Sequence, residues 1–456
     1  MRTFIGGIHP PDGKALTENC SIRPYQPKGE LVFPLNQHIG APAAPAVAVG
    51  DRVLLGQTIA RAQGFVSADI CSSVSGTVKA IALRPSASGE EVMCIIIEND
   101  GLDETIPGYG EKRDPDTLTA DEIRKIIGEA GIVGLGGAGF PTKVKLTPRP
   151  DARITHILIN AAECEPFITS DYRLIMERGE RLITGIRVLL HIFHDACAVI
   201  GIEANKPKAI ETLEKLVADL PRITVEPLMT KYPQGGERFL IHALTGKKIN
   251  STMLPLDAGC IVVNVATAEA IADAVCDSKP LTRRVVTMTG NVIKTPSNID
   301  APIGTVVREL VEDCGGFTKA PQKVLSGGPM MGTALYSLDI PVTKTTSSIL
   351  GMRIDPVAAH EPTACIHCGR CCGVCPERLL PQKLMDAADH NDAEAFVAYH
   401  GMECVECGSC TYVCPAKRRL TQSFKYVKRT VAAERKKAQE AEKAKAAAQN
   451  PDGEKK

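Results

Sequence analysis

Between Cys365 and Pro415 the chain carries two cysteine runs of one design. The first reads Cys365-Ile-His-Cys368-Gly-Arg-Cys371-Cys372-Gly-Val-Cys375-Pro376. The second reads Cys404-Val-Glu-Cys407-Gly-Ser-Cys410-Thr-Tyr-Val-Cys414-Pro415. Each is C-x2-C-x2-C-x3-C-P, the spacing with which a chain wraps two [4Fe–4S] cubanes. Three close thiolates take three corners of one cubane, and the fourth, ahead of a proline, ligates the other. One set is then Cys365, Cys368, Cys371 and Cys414, and the other is Cys404, Cys407, Cys410 and Cys375. Cys372 falls outside the spacing and is read as a non-ligand. Zinc knuckles would use paired C-x2-C units with four ligands, not two matched sets ending in proline. A disulfide framework needs an oxidising compartment, and no signal-peptide pattern opens the sequence. Residues 382–399, between the runs, place apolar side chains at helical intervals, so a helical ferredoxin-type domain is expected over 360–425.

A chain of 456 residues has room for about three domains, or more if some are small. Its formal net charge is zero, which gives it no general attraction to nucleic acid. Of 17 cysteines, those outside the two runs lie mostly in apolar contexts, such as Cys94 in Val-Met-Cys-Ile-Ile-Ile. Such thiols pack as small hydrophobes in a reducing compartment, so a cytoplasmic setting is expected. No apolar run reaches the ~18 residues of a membrane span. The longest candidate, 183–202, is interrupted by Arg187, His191, His194 and Asp195. Work at a membrane would require docking on a partner.

The first hundred residues read as short strands with Gly-containing turns, a small barrel or sandwich. They resemble a barrel-sandwich hybrid of the lipoyl/biotinyl kind, without a defensible counterpart of its modified lysine. A charged linker follows over 101–115. Over 115–280 strands alternate with helices, which argues for an α/β layer with a parallel sheet. Helices are expected at 118–130, with Thr119 as N-cap, at 173–193, and at 206–220. Strands are expected at 154–162, 197–202 and 222–227. Residues 281–342 give a small β–α–β unit that resembles the SLBB (soluble-ligand-binding β-grasp) module. The Ala/Lys/Glu-rich tail, 426–456, suits a solvated helix or a disordered segment.

Gly131–Thr142 reads GIVGLGGAGFPT, in which Gly134, Gly136 and Gly139 satisfy G-x-G-x-x-G. A lone match is weak. A helix pattern precedes it, Pro141 follows, and no acid stands where a Rossmann site holds ribose. What survives is close approach of backbone N–H groups to a phosphate, with Lys143 and Lys145 adding charge. The bland alternative is a glycine-rich turn. Three further segments follow predicted strands or pair glycines with an acid: Asn160–Pro166 (NAAECEP), Tyr232–Glu237 (YPQGGE) and Asn264–Thr267 (NVAT). Loops after strands are where α/β proteins place ligands. In an extended Glu163-Cys164-Glu165 both carboxylates would face one side.

In order, GxGGAGFPT, N-x-x-E-x-E-P and Asn-Val-x-Thr resemble the FMN-carrying, NADH-binding subunit of respiratory complex I. The Phe4-Ile5-Gly6-Gly7-Ile8-His9-Pro10-Pro11 start, the barrel-sandwich domain, the 231–237 segment and the paired cluster motifs are similar to the C subunit of the Rnf ion-translocating ferredoxin:NAD oxidoreductases. The likeness runs over roughly 1–425 in family order. It implies that Gly134, Gly136, Gly137, Gly139 and Lys145 hold FMN phosphate and ribitol. It further implies that Asn264 and Thr267 approach FMN and that Glu163 and Glu165 contact NAD(H). The chain departs from the complex I subunit in having two clusters instead of one. The implied protein binds FMN non-covalently with two [4Fe–4S] clusters and takes NAD(H) as substrate. It would sit peripherally on the cytoplasmic side of the cell membrane, docked on membrane subunits, with a ferredoxin-type carrier reached through another subunit. Hydride exchange needs no side-chain acid or base, so no catalytic residue is named in that sense. Two alternatives stay open: a cobalamin reductase of a bacterial microcompartment, and an electron wire whose flavin fold no longer binds flavin.

Overall fold

The computed structural model describes residues 1–449, so residues 450–456 of the tail lie outside it. The chain divides into two units, Met1–Phe4 with His9–Asp355, and Ile5–Ile8 with the chain from Pro356 onward.

At the centre of the larger unit lies a parallel sheet. Its strands are β1 (His156–Ala161), β2 (Cys197–Glu203), β3 (Ile223–Leu228) and β4 (Cys260–Asn264). Their spatial order is β3-β2-β1-β4, and every pairing is parallel. Helices α1 (Ala120–Glu129), α2 (Ser170–Ile192), α3 (Pro207–Val217), α4 (Glu237–Thr245) and α5 (Val265–Asp277) accompany it. The strands are apolar on both faces, as a doubly covered sheet requires. Ile157 and Ile159 of β1, with Ile261 and Val263 of β4, join a core shared with α2, α3 and α5. Leu158, Cys260 and Val262 face the other way, onto Leu240, Ile241 and Leu244 of α4.

Local signals set several boundaries. Thr119 accepts from the Glu122 amide and Glu122 reaches back to the Thr119 amide, the capping box that starts α1. Pro207 occupies the first turn of α3. α2 begins at Ser170, three residues ahead of the expectation, and bends at Arg178, whose guanidinium bonds Glu269 and Asp300. It crosses α5 closely at Gly185, where a Cβ would press into the Ala268 carbonyl.

The barrel-sandwich hybrid packs two small sheets. One joins Glu30–Pro34, Glu91–Asn99, Gly76–Pro85 and Arg52–Val53, and the other joins Ala44–Pro45, Thr58–Arg61 and Ile70–Cys71. Its core residues, among them Phe33, Ile59, Ile95 and Ile97, continue into the core of the α/β domain. The Gly101–Pro115 segment is strapped down: the Arg113 amide donates to the Cys276 carbonyl at the end of α5, and Lys112 pairs with Asp277. The sheet of the β-grasp region has six strands, one of them the early strand Ile22–Pro24, which lies parallel at its edge beside Ser297–Pro302. Helix Val307–Asp313 covers that sheet with Val307, Leu310 and Val311. Lys344, just past residues 281–342, is fully buried and donates to the carbonyls of Asp69 and Gly131.

The smaller unit is helical: Arg370–Val374, Pro381–Asp389, Ala393–Ala398, Ser409–Tyr412 and Leu420–Gln449. Leu384, Phe396, Leu420, Phe424, Val427 and Val431 form its core. The last helix takes up the start of the charged tail, which packs through Val431 and is exposed at 432–442. Among the described residues no helix is long and apolar enough to cross a membrane.

Candidate functional site

In the order β3-β2-β1-β4 the winding of the sheet reverses at β1: β2 and β3 are added on one side of it and β4 on the other. A crevice opens outside the carboxyl ends of strands at such a switch point. A cavity of about 450 Å³ lies there, within the size range of small-ligand sites. Gly134, Gly136, Gly137, Gly139, Lys145, Glu163, Glu165, Asn264 and Thr267 all line it.

The glycine loop is a pinched excursion. Its base closes where the Gly134 amide donates to the Phe140 carbonyl and the Thr142 amide to the Ile132 carbonyl, at 2.8 and 3.0 Å. Leu135 anchors it from inside: its amide donates to Thr267 Oγ1 at 2.9 Å, and its carbonyl accepts from Arg284 Nη2 at 2.7 Å. Gly136, Gly137 and Ala138 remain exposed at the tip. Thr267 thus lines the cavity and also secures the loop. Asn264 caps α5, accepting from the Ala266 amide at 3.0 Å, and its Nδ2 donates to Asp171 Oδ2 at 2.6 Å. Lys145 Nζ donates to the Val262 carbonyl at 2.8 Å and pairs with Glu237 at 3.6 Å. Lys143 is exposed, beside Gly128, and does not line the cavity.

The acidic loop corrects the expectation of one extended edge. Glu163 adopts φ +46, left-handed backbone, so the two carboxylates part company. Glu163 Oε1 accepts from the Asp171 amide at the start of α2 at 2.7 Å, while Oε2 is buried without a hydrogen bond. Glu165 accepts from the amides of Met330 and Met331, at 3.2 and 2.8 Å, in the β-grasp module. Burial pushes both carboxyls up from 4.5 to about 7. What makes the turn possible is Lys14. Its buried ammonium donates to the carbonyls of Glu163, Glu165 and Ile168 and stands 3.8 Å from Glu163 Oε2. Lys14, Asn160, Asp171, Tyr232 and Arg284 escaped the sequence reading as site residues. Asn160 had a signal, since it opens the acidic motif; its Nδ2 donates to the Gly235 carbonyl at 2.8 Å. Lys14, and Arg284 beside Arg283, have none.

FMN fits this cavity by chemistry: exposed glycine amides at one wall, apolar Tyr232, Pro233, Val262 and Met331 elsewhere, and a lysine beside them. In the smaller unit, Cys375, Cys404, Cys407 and Cys410 line one enclosed cavity with Pro376, Leu384 and Phe424. Burial pushes the Cys404 thiol to about 11 and the Cys410 thiol to about 12. Iron would take the place of those protons. Among the described residues no acid, His or Cys group closes to single-ion distance, and a cubane holds its thiolates farther apart than one ion does. The other set is more open, with Cys368 exposed and Cys365, Cys371 and Cys414 half-buried. Cys372 Sγ donates to Gln382 Oε1 at 2.7 Å.

Four families match segments in chain order. These are the RnfC barrel sandwich hybrid domain at 2–102, the Nuo51 FMN-binding domain at 127–273, the SLBB domain at 285–334 and the 4Fe-4S dicluster domain at 364–417. The C subunit of the Na(+)-translocating ferredoxin:NAD(+) oxidoreductase complex of Acetobacterium woodii is 44% identical over 438 residues, 95% of this chain and 98% of that one. The C subunit of the proton-translocating complex of Clostridium ljungdahlii is 44% identical over 446 residues, 98% of this chain and 96% of that one. The C subunit of an ion-translocating oxidoreductase complex of Salmonella paratyphi A is 41% identical over 87% of this chain, which spans 54% of its length. A crystal structure of a NAD+-reducing [NiFe]-hydrogenase shares 20% identity over 67% of this chain and 63% of its own, with a TM-score of 0.49. With four domain matches in family order and two relatives aligned over nearly their whole length, the chain belongs to the C subunits of ion-translocating ferredoxin:NAD+ oxidoreductase complexes.

Proposed function

We propose that this subunit passes electrons between NAD(H) and two [4Fe–4S] clusters by way of FMN held at the sheet's switch point. The observation that carries the assignment of residues is their convergence: four segments, the first and last separated by over a hundred residues, line one cavity at the β1/β4 crevice. When bound, FMN supplies the exchange between two-electron hydride chemistry and one-electron carriers. Gly136, Gly137 and Gly139 offer amides to its phosphate, Gly134 closes the base of their loop through its bond to the Phe140 carbonyl, and Lys145 adds charge. Asn264 and Thr267 form the floor beside it. Glu163 and Glu165 form an acidic wall for NAD(H), with Glu165 also holding the Met330–Met331 turn in place. No residue is assigned a proton transfer. Cys365, Cys368, Cys371 and Cys414 hold one cluster, and Cys375, Cys404, Cys407 and Cys410 the other.

The subunit docks peripherally on membrane subunits of its complex, on the cytoplasmic side, and a ferredoxin-type carrier communicates with it through another subunit. Kinship with subunits of ion-translocating complexes supports this docking, since ion translocation needs a membrane. Gly137→Val tests the flavin loop. A Cβ there meets no atom within 4 Å, so the variant folds, and only a bound phosphate objects. Flavin should be lost with the iron content unchanged. Full flavin occupancy would reduce the loop to a turn.

A further inference from the structure

We infer that Arg284, contributed by the β-grasp module, positions the flavin ring and sets its reduction potential. The inference rests on the flavin reading above. Arg284 lies on strand Arg283–Gly290, between the segments matched to the flavin domain and to the SLBB domain. It is 3% exposed and lines the flavin cavity.

Its bonding is incomplete. Nη2 donates to the Leu135 carbonyl of the glycine loop, whereas Nε is buried with no partner. The acids whose charge favours it are Asp171 and Glu269, and neither bonds it. Asp171 Oδ2 accepts from Asn264, and Glu269 is taken by Arg178 at 2.9 Å. A guanidinium buried without a bonded counter-charge is costly, and such a group calls for an explanation.

Arg284 also borders a second cavity, of about 250 Å³. The carboxylates there are already paired: Glu269 and Asp300 with Arg178, and Asp273 with Arg181. That side offers no free anion, so the completing acceptor enters from the flavin side. FMN has two electron-rich ends. The hydrated phosphate suits the exposed tip at Gly136–Ala138. The buried guanidinium suits the carbonyl edge of the ring, where reduction builds negative charge. A fixed positive charge in a dry site favours the reduced ring over the oxidised one and so raises the potential.

The test uses the full-length chain loaded with FMN and clusters. It reads flavin content, the flavin midpoint potential by spectroelectrochemistry and the ring-carbonyl stretch by infrared difference spectroscopy. Arg284→Gln should keep flavin, move the midpoint to more negative values and shift the stretch towards that of free FMN. Arg284→Lys should recover most of the potential. A wild-type potential in Arg284→Gln overturns the inference, and so does weakened flavin binding at unchanged potential, which would place the contact at the phosphate or make it structural. If Arg284→Gln does not fold, the wild-type protein decides: a ring-carbonyl stretch equal to that of free FMN overturns the inference, and a lowered one supports it. A wild-type chain that holds no FMN would instead remove the flavin reading itself.

Discussion

Glu165 combines a raised carboxyl with two amide donors, and the balance has a measurable sign. Burial lifts it from 4.5 to about 7, against the pull of the Met330 and Met331 amides. The folded chain therefore keeps a proton that the unfolded chain has already released. Stability should fall as pH rises from about 4.5 to about 7 and level off above. Glu165→Gln cannot titrate, so its melting temperature should fall less steeply across that window. An equal slope in both proteins would show that water reaches the carboxylate. The same variant should slow flavin reduction by NADH by roughly 1–3 kcal/mol of barrier, as for a lost charge-assisted hydrogen bond, with dithionite reduction of the clusters unchanged. Stopped-flow bleaching of the flavin separates the two. Lys14 is the structural partner of this loop. Lys14→Met removes three bonds to carbonyls and strands Glu163, at a cost of roughly 3 kcal/mol in denaturant melts. A loss below the error of the melt would mean that Lys14 merely neighbours the loop.

Among the elements, those with a strong local code were readable. The capping box at Thr119, Pro207 at the start of α3 and the buried run of β1 fall where periodicity and caps put them. The site was readable only as fragments. Its walls meet because β4 returns beside β1, and strand order is a property of tertiary packing that no window of sequence contains. The same-side rule for Glu163 and Glu165 failed because one residue, Glu163, leaves the extended region, pulled by a lysine about 150 positions away. Arg284 acts through burial, and nothing in the Arg283-Arg284 pair that opens its strand announces which of the two is buried. The cysteine runs lie at the other extreme, where spacing carries most of the information. Cys410→Ala should cut iron from about eight to about four per chain. Cys372→Ala should leave it unchanged, since that thiol bonds Gln382 outside the enclosed set. Iron and sulfide assays on anaerobic protein decide both.

At the scale of the whole molecule, chain order and structural membership diverge. Ile5–Ile8, near the start of the chain, belongs to the cluster-bearing unit rather than to the unit that surrounds it in sequence. The Gly7 amide donates to the Val374 carbonyl at 2.8 Å. Gly6 has φ +79, and a Cβ there would come 2.8 Å from the carbonyl oxygen of Cys375. Left-handed backbone and backbone-to-backbone approach together leave room only for glycine. On the proposed ligand sets, Cys375 is the thiolate that the first run lends to the second run's cluster, so its backbone position decides whether four thiolates or three face that cavity. The two glycines of the N-terminal Phe-Ile-Gly-Gly-Ile stretch therefore serve the far end of the chain. Gly6→Val should displace Cys375 and lower iron from about eight towards about four per chain. Flavin content should be unaffected, because no residue of the flavin cavity belongs to the cluster unit. Gly6→Ala should show a weaker version of the same loss. A Gly6→Val protein with full iron and normal cluster spectra would show that the segment's seat on Cys375 is dispensable. Loss of flavin alone would instead assign the segment to the larger unit.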